Sequence, residues 1–240
     1  MRIAVLDDDA IVLDLLKAMT ESLGHICHTF DTGASLLKAL RRDSFDLLIV
    51  DWHLPDMDGP EVVRAARAVI GPQTPILFVT RRQDEQDIVE ALASGADDFM
   101  TKPVRLGEFS ARIKALGRRA FPDMSADTLA FGSYQFDALT RSLRVGESVL
   151  ELTELEYALS LFMFQNCGRL LSRDHLREMV WGQTHDITSR TIDTHISRLR
   201  SKLKLGPEYG YTVTSVYGTG YRLEAVEPTT PGAAAAPPPY

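Results

Sequence analysis

Long apolar runs, cysteine and tryptophan are the scarcest features of this 240-residue chain. The apolar stretches stop after about four residues, far short of the ~20 that a helix needs to cross a bilayer, so no membrane partner is expected. Two cysteines, Cys27 and Cys167, stand far apart without metal-ligand spacing, which excludes a thiolate metal site and a disulfide framework. We expect buried thiols in a reducing cytoplasm. No secretory signal is expected either, because MRIAVLDDD meets acids directly after a short apolar run. Positive charge is in deficit, and the net charge of −7 taken over the whole chain argues weakly against nucleic acid. The rest is ordinary globular composition, and the length accommodates about two domains, each with its own core.

The stretch Leu47 to Gly59, LLIVDWHLPDMDG, organises the first half. Its unbroken apolar run reads as a strand buried on both faces of a parallel sheet, ending on the carboxylate of Asp51. The same punctuation recurs. RIAVL ends on Asp7, Asp8 and Asp9, PILFVT closes on Thr80, and DDFM leads into Thr101, Lys102 and Pro103. Amphipathic stretches near 10–23, 34–40, 61–69, 84–94 and 106–116 alternate with these strands and one near Ile26 to Phe30. Five strand–helix repeats predict a doubly wound, five-stranded parallel α/β sheet.

Right-handed crossovers put the strand ends on one edge of such a sheet, where ligands bind. Carboxylates gathered there repel each other by about 1 kcal/mol per pair even in water. Oxygen-only donors with room for water suit Mg²⁺. Lys102 adds a second positive charge and Thr80 a hydroxyl, so Asp51 is equipped to attack phosphorus and hold the transferred group.

These residues resemble the receiver domain of two-component response regulators, over about residues 1 to 120. The resemblance implies that Asp51 accepts a phosphoryl group from a cognate histidine kinase. It implies that Asp8, Asp51 and the His53 backbone carbonyl bind Mg²⁺, with Asp7 acting mainly through water. Thr80 and Lys102 would contact the phosphoryl oxygens, the Lys102–Pro103 peptide would be cis, and Thr80 with Phe99 would form the switch pair. Two positions depart from the family pattern. Arg81 stands where a small residue leaves the site open, and Ile88 where the winged-helix members carry a dimer-pairing Arg.

AFPDMSADT (Ala120 to Thr128) reads as a linker, and the strand style then changes. LAFG, YQFD, SLRV and VLEL are short and separated by turn residues, as in an antiparallel sheet. Thr153 with Glu156 forms a capping box for a helix, and a second helix is expected from Ser172 to Trp181. The third, near Ser189 to Leu203, carries Ile192, Ile196, Leu199 and Leu203 on one stripe. At 100° per residue Arg190, Thr194, Ser197, Arg198 and Ser201 lie opposite, with Arg200 and Lys204 flanking them. Arg190, Arg198, Arg200, Lys202 and Lys204 set against Asp193 give five minus one, a net +4. Cationic flanks with small hydroxyls between them suit a helix in the major groove. His195 reads as a boundary packing residue. YTVTSVYGTGYRL follows as a Gly-rich hairpin, completing a winged helix-turn-helix.

RTIDTHISRLRSKL with GTGYRL resembles the effector domain of the OmpR/PhoB family over about residues 127 to 225. The DNA-binding residues implied are Arg190, Thr191, Thr194, Ser197, Arg198, Arg200, Ser201, Lys202, Tyr217 and Thr219, with Tyr217 standing where many members place a minor-groove Arg. The expected arrangement is a receiver domain over 1–119, a linker over 120–128, an α+β winged-helix domain over 129–225 and a disordered Pro/Ala-rich tail over 226–240. The expected function is a cytoplasmic, homodimeric, DNA-binding regulator activated at Asp51. Its partners are the kinase, double-stranded promoter DNA and RNA polymerase, with no enzymatic turnover beyond self-dephosphorylation. The alternative, kept open by Arg81, is a dimeric DNA-binding regulator that works without phosphorylation. A phosphatase using a phospho-Asp would need a second acid–base group beside Asp51, and none is offered.

Overall fold

Five apolar runs become five parallel strands that stop where the sequence turns polar. These are β1 (Arg2–Leu6), β2 (Ile26–Phe30), β3 (Leu47–Val50), β4 (Ile76–Thr80) and β5 (Asp98–Thr101). Their order is β2-β1-β3-β4-β5. The computed structural model describes residues 1–82, 84–120, 128–182 and 187–227. It divides into two units, Met1–Met124 and Ser125–Tyr240, each with its own core. Most of the stretch read as a linker (121–127) and of the expected tail (228–240) lies outside the described residues.

In the first unit, α1 (Ala10–Ser22), α2 (Gly33–Leu40), α3 (Gly59–Ile70), α4 (Glu85–Ala93) and α5 (Leu106–Ala120) alternate with the strands. Side chains of a strand point alternately to its two faces, so each central strand feeds two cores. Ala4, Leu6, Leu48, Val50 and Phe78 pack against Leu36, Val62, Val63 and Ala91 of α2, α3 and α4. Ile3, Val5, Leu47, Ile49 and Leu77 pack against Leu16, Phe109 and Ile113 of α1 and α5. This double coverage explains why β1, β3 and β4 are buried along their whole length. Strand order reverses between β1 and β3, and the crevice for a ligand opens at the carboxyl ends beside that switch point. Cys27, expected to be buried, is half-buried because β2 is an edge strand, and Cys167 is half-buried in the turn after the first helix of the second unit.

The second unit begins with an antiparallel sheet, β6 (Thr128–Phe131), β7 (Tyr134–Asp137), β8 (Ser142–Val145) and β9 (Ser148–Leu150). Then come α6 (Glu154–Gln165), β10 (Leu170–Ser172), α7 (Arg173–Leu176) and α8 (Ser189–Lys202). The hairpin of β11 (Tyr211–Val216) and β12 (Gly220–Ala225) follows, and pairs with β10 as a three-stranded sheet. Both halves of the capping box form at Thr153 and Glu156. The helix expected from Ser172 to Trp181 differs. Its α-helical part ends at Leu176 and a π-helical turn carries it from Arg177 to Trp181. The strand β10 has only three residues, too few to show alternation in sequence. Ile192, Ile196, Leu199 and Leu203 form the expected buried stripe, set against Tyr134, Phe136, Leu159 and Phe164. Truncating Ile196 to Ala should therefore destabilise the second unit by about 2–5 kcal/mol. Denaturant unfolding followed through Trp181, whose ring lies 5.4 Å from His195, would check this; an unshifted transition would contradict it.

Candidate functional site

The ends of β1, β3, β4 and β5 meet in one pocket of about 280 Å³, lined by Asp7, Asp8, Asp9, Asp51, His53, Arg81 and Lys102. Three of these residues, Asp7, Asp51 and Lys102, are fixed by backbone hydrogen bonds to the strands beside them. Asp7 N donates to Phe30 O at 3.1 Å, Asp51 N to Leu6 O at 2.8 Å, and Lys102 N to Thr80 O at 2.7 Å. The chain leaving Asp51 folds back so closely that a side chain at position 59 would put a Cβ 2.5 Å from the Asp51 carbonyl oxygen and 2.7 Å from the Phe78 ring. Only glycine fits there, and Asp58 caps α3 immediately before it. The Lys102–Pro103 peptide is cis.

Asp7 and Asp51 are buried and Asp8 is exposed, yet one oxygen of each lies within 4.8 Å of the others. Lys102 Nζ spans the two buried acids, at 2.7 Å from Asp7 Oδ2 and 3.0 Å from Asp51 Oδ2. Burial pushes the Asp7 carboxyl above its ordinary range and the charge of Asp51 pushes the same way, while the hydrogen bond from Lys102 pulls it back. Three carboxylates face one ammonium. The oxygen-only donor set and the uncompensated charge both fit a hard divalent cation. Asp9, which accepts the Ile11 N–H, serves as the N-cap of α1.

Thr80 is fully buried, and its hydroxyl accepts the Arg82 N–H at 3.3 Å. Phe99 is half-buried beside the core under α2–α4. His53 is exposed and bridges Asp58 across the turn. Arg81 is 78% exposed, its guanidinium 3.9 Å from Asp9 at the pocket mouth. Ile88 is half-buried on α4. Sequence reasoning passed over Arg82, whose guanidinium stacks on Trp52 and pairs with Asp87. Only its place just past a strand end marked it.

In the second unit, Arg190, Thr194, Ser197, Arg198 and Ser201 line the exposed face of α8. Arg200, expected on the flank of that face, and Lys202, expected among the DNA-binding residues, are turned elsewhere. Arg200 Nη2 donates to the Val213 carbonyl, which ties it back to β11, and Lys202 Nζ sits 2.7 Å from Glu156 Oε2, the carboxylate of the α6 capping box. That ammonium, with the Thr153 N–H, holds the Glu156 carboxyl below its usual range. Thr191 is half-buried, its hydroxyl 3.3 Å from that of Thr188, and Thr219 is half-buried in the hairpin turn. Tyr217 is fully exposed at the hairpin tip. Asp193 was read only as a charge. It accepts from Arg173 Nε at 2.9 Å and from the Tyr221 hydroxyl at 2.6 Å, joining α8 to α7 and to β12. His195 packs on the Trp181 ring.

The raised Asp7 carboxyl has a measurable consequence. A folded pKa above the unfolded one means that ionised Asp7 costs stability at neutral pH, and the cost disappears as pH falls through the raised value to the ordinary carboxylate range. Asp7→Asn should therefore raise the denaturation midpoint in EDTA at pH 7, and the gain should shrink on acidification. A lowered midpoint, or a gain independent of pH, would contradict the burial argument.

Residues 3–114 match the response regulator receiver domain, and residues 146–223 match the C-terminal domain of transcriptional regulatory proteins. The DNA-binding response regulator MtrA of Mycolicibacterium smegmatis is 35% identical over 92% of this chain and 96% of its own length. The transcriptional regulatory protein AfsQ1 of Streptomyces coelicolor is 38% identical over 91% of this chain and 95% of its own. Among solved structures, the Thermotoga maritima response regulator DrrB, an OmpR/PhoB homologue, aligns over 93% of this chain and 99% of its own, with 27% identity and a TM-score of 0.44. With the receiver and transcriptional-regulator models both matched, and relatives aligned over nearly their full length, the chain belongs to the two-component response regulators of the OmpR/PhoB type.

Proposed function

We propose that this protein is a DNA-binding transcriptional response regulator whose Asp51 accepts a phosphoryl group from a sensor histidine kinase. The observation that carries this reading is the buried Asp51 carboxylate, 3.0 Å from Lys102 Nζ and within 4.8 Å of Asp7 and Asp8, in a chain that also displays an Arg- and hydroxyl-bearing helix face. An Asp51 oxygen bonds to phosphorus as the P–N bond of the kinase phosphohistidine breaks, and the imidazole leaves with the electron pair. Asp8, Asp51 and the His53 carbonyl would hold Mg²⁺, with Asp7 acting through water. The ion, when bound, offsets the carboxylates and the phosphoryl oxygens. Lys102 neutralises the transferred group and Thr80 offers it a hydroxyl. Arg81 lies at the mouth, where its bulk crowds an approaching donor. Its exposed charge adds little attraction in water.

Phosphorylation acts by differential affinity for two receiver states and so shifts a population toward the receiver homodimer. Dimerisation places two winged helices on adjacent promoter half-sites, about one helical turn apart. Arg190, Thr194, Ser197, Arg198 and Ser201 face the major groove, Tyr217 approaches the sugar-phosphate backbone, and RNA polymerase is the further partner. The chain acts as a phosphoryl acceptor with, at most, self-dephosphorylation.

Acetyl phosphate should add one phosphoryl group to the intact protein only when Mg²⁺ is present, and Asp51→Asn should abolish the adduct in mass spectra. An adduct on Asp51→Asn would mean that another group is the acceptor. On DNA, Arg198→Ala should cost about 1–3 kcal/mol at a cognate site if it reads a base. Arg200→Gln, which loses the tie to Val213, should lower stability and leave the salt dependence of binding unchanged. Titrations at several salt concentrations separate the two, and equal salt slopes for parent and both variants, with unaltered affinity, would remove α8 from the groove.

A further inference from the structure

Arg82 belongs to neither the phosphoacceptor set nor the pocket lining, yet it touches three parts of the structure around Asp51. Its guanidinium lies 4.7 Å from the centre of the Trp52 ring, next in sequence to Asp51. Its Nε donates to His53 Nε2 at 3.3 Å, and its Nη1 is 2.8 Å from Asp87 Oδ1 in the first turn of α4. Its backbone N–H is the donor that engages the Thr80 hydroxyl. Trp52 is 2% exposed and stacks on Phe78 of β4, so it is a rigid platform. One side chain therefore fastens the segment leaving β4 to the segment leaving β3, and through Asp87 to α4.

We infer that Arg82 is a latch that holds the connection from Thr80 to α4 in its unphosphorylated arrangement. The inference rests on the phosphoacceptor reading of Asp51. A phosphoryl oxygen on Asp51 would accept a hydrogen bond from the Thr80 hydroxyl, which here is oriented to accept one from the Arg82 N–H. For Thr80 to turn toward it, the bond from the Arg82 N–H must break, and a backbone shift there pulls the guanidinium off Trp52 and strains its pair with Asp87. Phosphorylation thus works against a cation–π contact and a partly buried ion pair, and these two contacts set how much of the population occupies the activated arrangement before phosphate arrives. Arg82 is a positioning residue here, acting through Thr80 and α4.

The test uses the full-length protein carrying Trp181→Phe, so that Trp52 alone reports, and Mg²⁺ with beryllofluoride as the phosphoryl mimic. In the parent, beryllofluoride should shift Trp52 emission as the guanidinium leaves the ring. In Arg82→Gln the emission should start at the shifted value and respond little further. Promoter affinity without the mimic should rise about five-fold, equivalent to about 1 kcal/mol. Arg82→Lys, which keeps a cation over the ring, should restore most of the parent behaviour, which a merely structural role would not predict. The latch is overturned if Arg82→Gln responds as the parent does with unchanged affinity, or if the parent binds beryllofluoride (seen by fluorine NMR) with no change at Trp52. A parent that does not bind beryllofluoride would instead overturn the phosphoacceptor reading itself.

Discussion

Like charges held together against their repulsion are the constraint on which the first unit depends. Asp7 and Asp51 are buried side by side because β1 and β3 are hydrogen-bonded neighbours with Leu6 and Val50 in register, and each acid follows directly on those residues. Nothing in the sheet core can dissolve that repulsion. Lys102, delivered by the end of β5 across the sheet, answers it in part by bridging both carboxylates. The remaining negative charge makes the pocket receptive to a cation and then to a phosphoryl group. The fold thus stores unfavourable electrostatics in a rigid frame, as preorganised sites do.

The frame can do this because its centre is apolar on both sides. Residues of β1, β3 and β4 alternate between the two cores, so the strands cannot slide without exposing both sets. Gly59 adds a local limit, since its lack of a side chain lets the chain after Asp51 return against the Asp51 carbonyl and Phe78.

Most of this was legible in the sequence, for a specific reason. Asp7, Asp51, Thr80 and Lys102 all lie at abrupt ends of apolar runs, and a parallel sheet turns such ends into a common edge whatever the side-chain details. The exposed and buried faces of α8 were equally legible, because a helix of known pitch fixes them. What escaped depends on where long side chains reach. Arg200 lies on the flank of α8, yet its guanidinium finds the Val213 carbonyl. Lys202 finds Glu156, and Arg82 finds Trp52 and Asp87. Periodicity places a Cα and says little about the far end of an arginine. The π-helical turn at Arg177–Trp181 was hidden for a similar reason, since no residue pattern distinguishes it from α-helix at that length.

Asp193 separates two jobs within α8. By accepting from Tyr221 on β12 and from Arg173 on α7, it fixes the angle of the helix from its inner flank. None of Arg190, Thr194, Ser197, Arg198 or Ser201 takes part in that fixing. The exposed residues can therefore be exchanged without disturbing the contacts that set the tilt of the helix, so what this surface touches and how the helix is held are free to vary separately.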